Sequence, residues 1–88
     1  MSETICELST PVRDERGRAY RARVCAIERS DGTWEGWLEF HPIDAPKTVL
    51  RTGQETLQSN RGALEYWASG LEPIYLDGAF ARAQERLP

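Results

Sequence analysis

The chain has 88 residues and a net charge of −3, with 40% hydrophobic and 28% charged residues. These proportions are typical of a globular domain and exclude a disordered or membrane-embedded chain. The negative charge also disfavours duplex binding, because domains that bind duplex nucleic acid are usually basic. Residues 1–88 are therefore interpreted as a single small domain.

The N-terminus and the cysteines bear on the compartment. The first residues lack the basic start and apolar stretch of a secretory signal, and no apolar run approaches the ~20 residues of a membrane span. We therefore expect a cytoplasmic protein with no membrane partner. Cys6, Cys25 and His41 are one ligand short of a usual zinc site, so we expect no metal and no other cofactor. A reducing compartment disfavours a disulfide, and whether the two cysteines are adjacent stays open.

The N-terminal segment precedes the clearest strands. Residues 1–11 are predicted to form either a loose arm or an edge strand, because a short alternation at 4–8 is stopped by Pro11. The polar segment 13–18 predicts a turn, with Gly17 as its natural positive-φ position.

The strongest local signal is a β-hairpin. Segments 20–29 and 34–41 alternate as strands do, and Asp31 and Gly32 lie in the turn between them. A two-residue loop would place Glu28 opposite Glu35, which is a repulsive pair. A three-residue loop, 30–32, instead places Val24 opposite Leu38, and we choose it.

That register assigns the two faces of the hairpin. The side chains expected to face inward are Tyr20, Ala22, Val24, Ala26, Trp34, Leu38 and Phe40. Those expected to face outward are Arg21, Arg23, Cys25, Ile27, Glu35, Trp37, Glu39 and His41. Trp37 would form a partly exposed apolar island with its neighbours on the outer face, unless a helix covers it.

The second half of the chain predicts short strands and two helices. The strands are expected at 47–51, 55–58 and 73–76. The helices are expected at about 60–69, capped by Ser59 or Asn60, and at about 78–86, capped by Asp77. The aromatic residues expected mostly in the core are Trp34, Tyr66, Trp67, Tyr75 and Phe80.

This order of elements indicates an α+β fold. A small bent antiparallel sheet fits it, and so does an SH3-like or Sm-like partial barrel with helical additions. These are analogies of architecture, which do not determine function.

The sequence offers little for catalysis. In the chosen register Cys25 faces Trp37, two pairs away from His41, so a Cys–His dyad is not expected. Glu35 and Glu39 are about 13 Å apart by strand rise, too far for paired carboxylate chemistry. No phosphate-binding glycine motif is present. We therefore expect a protein that is not an enzyme.

Charge is distributed unevenly along the hairpin. Residues 11–30 hold six arginines against three acidic residues, whereas residues 31–50 hold four acidic residues against one lysine. Cross-strand pairs such as Arg23 with Glu39 would neutralise much of this difference within the chain.

Three hypotheses about function follow. The first is a small non-catalytic interaction module that binds a protein partner, or itself as a homodimer, through the outer face of the 20–41 hairpin. Its contact residues are Arg21, Arg23, Trp37 and His41. The second is single-stranded nucleic-acid binding through the Arg-rich segment 13–23, by Arg13, Arg16, Arg18, Arg21 and Arg23. The third is a subunit that completes an enzyme site, which requires Glu55, His41 and Asp77 to lie together.

Overall fold

The computed structural model describes residues 1–44 and 48–86. The strands are β1 Glu3–Glu7, β2 Val12–Arg13, β3 Ala19–Glu28, β4 Trp34–Pro42, β5 Leu50–Arg51 and β6 Thr56–Gln58. The helices are α1 Arg61–Ser69 and α2 Pro73–Glu85. The start of the strand predicted at 47–51 lies outside the described residues.

All strand pairings in the described chain are antiparallel. The strand order is β1-β3-β4-β5, with β2 also paired to β3 and β6 also paired to β4. The sheet is therefore open, and the predicted α+β fold with an antiparallel sheet and two helices is confirmed. The finer likeness to an SH3-like partial barrel stays a prediction.

The hairpin register is the predicted one. Val24 lies opposite Leu38, and Arg23 lies opposite Glu39. Gly32 has a φ of +87°, which closes the three-residue loop at low cost because glycine has no Cβ. Gly17 likewise adopts the predicted positive φ, at +81°.

The core lies between the inner face of the sheet and the two helices. Val24, Leu38 and Phe40 of the sheet are fully buried, as is Leu64 of α1. The ring of Phe80 from α2 packs against Phe40, with 5.0 Å between centroids. The predicted inner face therefore forms the main apolar cluster, with Trp34 partly buried beside it.

The N-terminal segment is an edge strand rather than a loose arm. β1 pairs with β3, and its register is interrupted by a bulge between Thr4 and Cys6. Thr4 lies opposite Cys25, whereas Cys6 lies opposite Val24. Both cysteines are free thiols.

Helix α1 begins where the sequence predicted. The Asn60 side chain caps it by accepting a hydrogen bond from the backbone N–H of Ala63 at 2.8 Å. Satisfying an otherwise unpaired amide in this way stabilises the helix start. The helix ends before Gly70, whose φ of −96° lies outside the left-handed region.

Helix α2 differs from the prediction. Residues 73–76 are its first turn and not a strand, and Asp77 lies inside the helix instead of capping it. Pro73 occupies the first helical position, where its missing N–H leaves no bond unmade. Leu76 then falls in helical phase with Phe80 and is buried against the core. Among the described helices, none is both long enough and apolar enough to cross a membrane.

Helix α1 packs closely on the sheet at Gly36. We therefore expect a larger side chain at this position to lower the stability of the fold. A Cβ at Gly36 would lie 3.0 Å from Thr56 Cγ2 and 3.1 Å from Leu64 Cδ1. We expect Gly36→Val to lower the free energy of unfolding by about 1–3 kcal/mol, because the helix must move away.

The matched control is Gly78→Ala in α2. A Cβ there meets only Arg82 Nη1 at 3.4 Å, the end of a flexible side chain. Alanine should raise stability by roughly 0.5–1 kcal/mol because it favours the helix. Urea titrations measure both effects, and a Gly36→Val variant as stable as the wild type would contradict the close approach of α1.

Candidate functional site

The outer face of the sheet carries the surface predicted from sequence. The two helices pack on the inner face, and no helix of residues 1–44 or 48–86 covers the outer one. Arg21, Arg23, Trp37 and His41 lie on this outer face, as the register requires.

The predicted exposure of Trp37 is wrong. The residue is 4% exposed, although no helix lies over it. The guanidinium of Arg51 stacks on the indole, with Cζ 4.5 Å from the ring centroid. Arg51 belongs to β5 and lies beside Glu39 across the strand pair, so it reaches the indole from a neighbouring strand.

Glu39 organises the polar side chains around Trp37. Its carboxylate accepts a hydrogen bond from Trp37 Nε1 at 3.0 Å, and His41 Nε2 lies 3.0 Å from its other oxygen. Burial by itself disfavours the charged carboxylate, but these hydrogen bonds outweigh that cost, and the pKa of Glu39 lies below its ordinary value. The half-buried His41 is therefore held by Glu39 and not by Cys25.

Cys25 is sealed in the same cluster. Burial raises the pKa of its thiol to about 11, and the negative charge of Glu39 adds to the shift. The thiol is protonated at neutral pH and is a weak nucleophile there.

This burial predicts slow alkylation of Cys25. In a Cys6→Ser variant, iodoacetamide at mildly alkaline pH should modify the native protein at least about 100-fold more slowly than the urea-unfolded protein, because little thiolate is present. As a control, the alkylation rate of the Cys25→Ser variant measures the reactivity of the half-buried Cys6. Equal native and unfolded rates for Cys25 would contradict the sealed cluster.

The arginines of the predicted contact surface are held by a carboxylate from β1. Arg23 Nε lies 2.9 Å from Glu7 Oε2, and Arg21 Nε lies 3.8 Å from Glu7 Oε1. Arg21 also donates to the carbonyl of Ser9 at 2.9 Å. Although Glu39 lies opposite Arg23 in the register, it is the single carboxylate of Glu7 that pairs with both arginines.

The arginines proposed for nucleic-acid binding are also used within the chain. Arg18 pairs with Asp14 at 2.8 Å, and Arg13 donates to the carbonyl of Gly17 at 3.0 Å. Arg16 makes no ion pair with any residue the structure describes. Three of the five arginines thus form ion pairs, with two carboxylates between them, and nucleic-acid binding stays a prediction.

The three residues required for an enzyme site do not meet. Glu55 lies with Tyr75 and Arg82, whereas His41 lies with Glu39 on the opposite face of the sheet. Asp77 is exposed on α2. Within residues 1–44 and 48–86, no three His, Cys, Asp or Glu side chains are grouped as a metal ion would require.

Glu55 forms a polar contact with α2 that the sequence did not reveal. Its side chain is 8% exposed, and it accepts hydrogen bonds from the Tyr75 hydroxyl and from Arg82 Nη2, the latter at 2.6 Å. Glu55 precedes β6, and its two partners lie on α2. The contact therefore ties the start of α2 to the sheet.

An open groove of about 710 Å³ lies beside this contact, where α1 ends and α2 begins. Trp67 and Tyr75 form its floor together with Leu71, and the rings of the first two meet edge to face at 6.1 Å. Tyr66 and Ile74 border it with exposures of 82% and 79%. We call this surface the helix-corner groove.

The prediction that Tyr66 lies in the core is therefore wrong. The groove was also not predicted, because two of its lining residues, Ile74 and Tyr75, belong to a segment that the sequence predicted as a strand. One signal was available, because Ile74 does not fit the buried helical stripe of Leu76 and Phe80. An apolar residue outside that stripe indicates exposure once the segment is read as a helix.

Comparison with protein-family models, curated proteins and solved structures finds no match for this chain.

The Glu55 contact predicts a loss of stability in alkali. Burial and the hydrogen bond to Glu55 raise the pKa of Tyr75 to about 12, compared with about 10 in an unfolded chain. The folded state retains a proton that the unfolded state has lost, so this contribution is complete below about pH 10 and declines towards pH 12.

Urea titrations at about pH 9 and about pH 11.5 measure the decline. The Tyr75→Phe variant lacks the hydroxyl and should lose less stability between the two values than the wild type. An equal loss in both proteins would show that Tyr75 does not titrate as the structure indicates.

Proposed function

We propose that this protein is a non-catalytic interaction module that binds a short apolar segment of a partner protein in the helix-corner groove. The observation that carries the proposal is the exposure of Tyr66 and Ile74 on the same groove. Single exposed apolar residues are common on protein surfaces, but clustered ones around a concave floor are typical of binding sites.

The size of the groove favours a peptide segment over a globular surface. Eight residues line it, whereas a stable interface between folded proteins uses about 20–30 residues a side. A second copy of the chain would therefore need contacts well beyond the groove. A short segment could be accommodated by the lining residues alone.

Exposure also favours a segment over a small molecule. Sites for drug-sized ligands bury roughly 70–90% of the ligand surface. Tyr66 and Ile74 project largely into solvent, so they are suited to contacting a chain that lies across them.

The floor of the groove supports the proposal because it is held in place before binding. Glu55 fixes the Tyr75 hydroxyl, and Tyr75 packs against Trp67. A preformed floor lowers the conformational entropy that a partner must remove on binding.

The outer face of the hairpin is less suited than the groove to binding a partner. Trp37 is buried, and Arg21 and Arg23 already share an ion pair with the carboxylate of Glu7. Partner binding or self-association through that surface stays a prediction, as does the cytoplasmic location.

Selection from a random linear peptide library displayed on phage tests the proposal. Peptides enriched on the wild-type protein should bind Tyr66→Ser and Ile74→Ser at least about tenfold more weakly, because central apolar contacts dominate such interfaces. Leu57→Ser is the matched control, since Leu57 is 46% exposed and lies on β6, away from the groove.

Two results would overturn the proposal. One is that no peptide is enriched on the wild-type protein. The other is that the enriched peptides bind the groove variants and Leu57→Ser equally well. Circular dichroism of each variant confirms that it retains the fold.

A further inference from the structure

One acidic side chain lines the helix-corner groove, and a second lies one helical turn away from it on α2. Glu72 lines the groove and precedes α2 as its N-cap residue. Asp77 lies one turn beyond Ile74, on the same side of α2, because residues three apart are neighbours on a helix surface. Both acidic residues are exposed.

Neither of these charges is compensated by the part of the chain that the structure describes. Glu65 on α1 pairs with Arg61, and the buried Glu55 pairs with Arg82. No basic side chain within residues 1–44 or 48–86 forms an ion pair with Glu72 or Asp77.

The side chain of Glu72 does not cap α2. Its backbone is extended, with a φ of −109°, and its side chain makes no capping hydrogen bond to α2. The carboxylate therefore remains available at the edge of the apolar surface.

We infer that the helix-corner groove selects a segment that carries basic residues beside its apolar ones. This inference rests on the proposed function and specifies the partner that the groove takes. Apolar side chains of the segment contact Tyr66 and Ile74, and its Lys or Arg residues lie against Glu72 and Asp77. The net charge of −3 attracts the same class of segment at longer range.

Reversing the charges of Glu72 and Asp77 tests this selectivity, with the same phage library. Peptides that depend on the groove should be richer in Lys and Arg than in Asp and Glu when selected on the wild-type protein. Selection on Glu72→Lys/Asp77→Lys should give the reverse bias. A basic peptide from the first pool should lose about two- to fivefold in affinity for each reversed charge, the range of exposed ion pairs.

The control Glu15→Lys/Glu28→Lys has the same net charge and changes two exposed residues, Glu15 in the turn before β3 and Glu28 at the end of β3. It should keep the wild-type preference. If its pool also reverses, net charge and not the position of Glu72 and Asp77 decides, and the inference fails.

The remaining outcomes separate the inference from the proposed function. Peptides that depend on Tyr66 and Ile74 but show no charge bias would overturn the inference and leave the groove as a binding site. The absence of any groove-dependent peptide would overturn both.

Discussion

The pairing of β3 with β4 is the constraint on which the rest of the structure depends. Side chains alternate between the faces of a strand, so the three-residue loop ending at Gly32 decides for the whole hairpin which residues enter the core. It turns Val24 and Leu38 inward, where both are fully buried. A shift of one residue would present charged side chains to the helices. Only in this register can the helices pack against an apolar face of the sheet.

The two faces of the sheet achieve burial by different means. On the inner face, apolar side chains from both helices exclude water. On the outer face, Glu7 pairs with two neighbouring arginines, and the side chain of Arg51 covers the indole of Trp37. An arginine can cover apolar surface in this way because its stem and planar guanidinium pack while its donors stay in water. The side chains of the outer face are consequently engaged largely with one another.

The helix-corner groove has the opposite character. Its floor is fixed by contacts that run from Glu55 to Tyr75 and on to Trp67, whereas Tyr66 and Ile74 remain in solvent. A fixed floor with exposed apolar borders is the arrangement in which binding costs the least conformational entropy. The same polar contact that stabilises the start of α2 therefore shapes the surface proposed to bind a partner.

By itself, the sequence determined the hairpin, its register and the start of α1 after Ser59 or Asn60, because turn chemistry, cross-strand pairing and capping act between residues close in the chain. Its pattern predicted a strand at 73–76, which is wrong, since an Ile-Tyr-Leu run suits a strand or a helical turn until Leu76 packs on the core. Only tertiary structure decided that Arg51 covers Trp37 and that Glu55 meets Tyr75, 20 residues away. Those contacts join separate elements, and the free energy that selects them comes from packing the whole core, which no local pattern records.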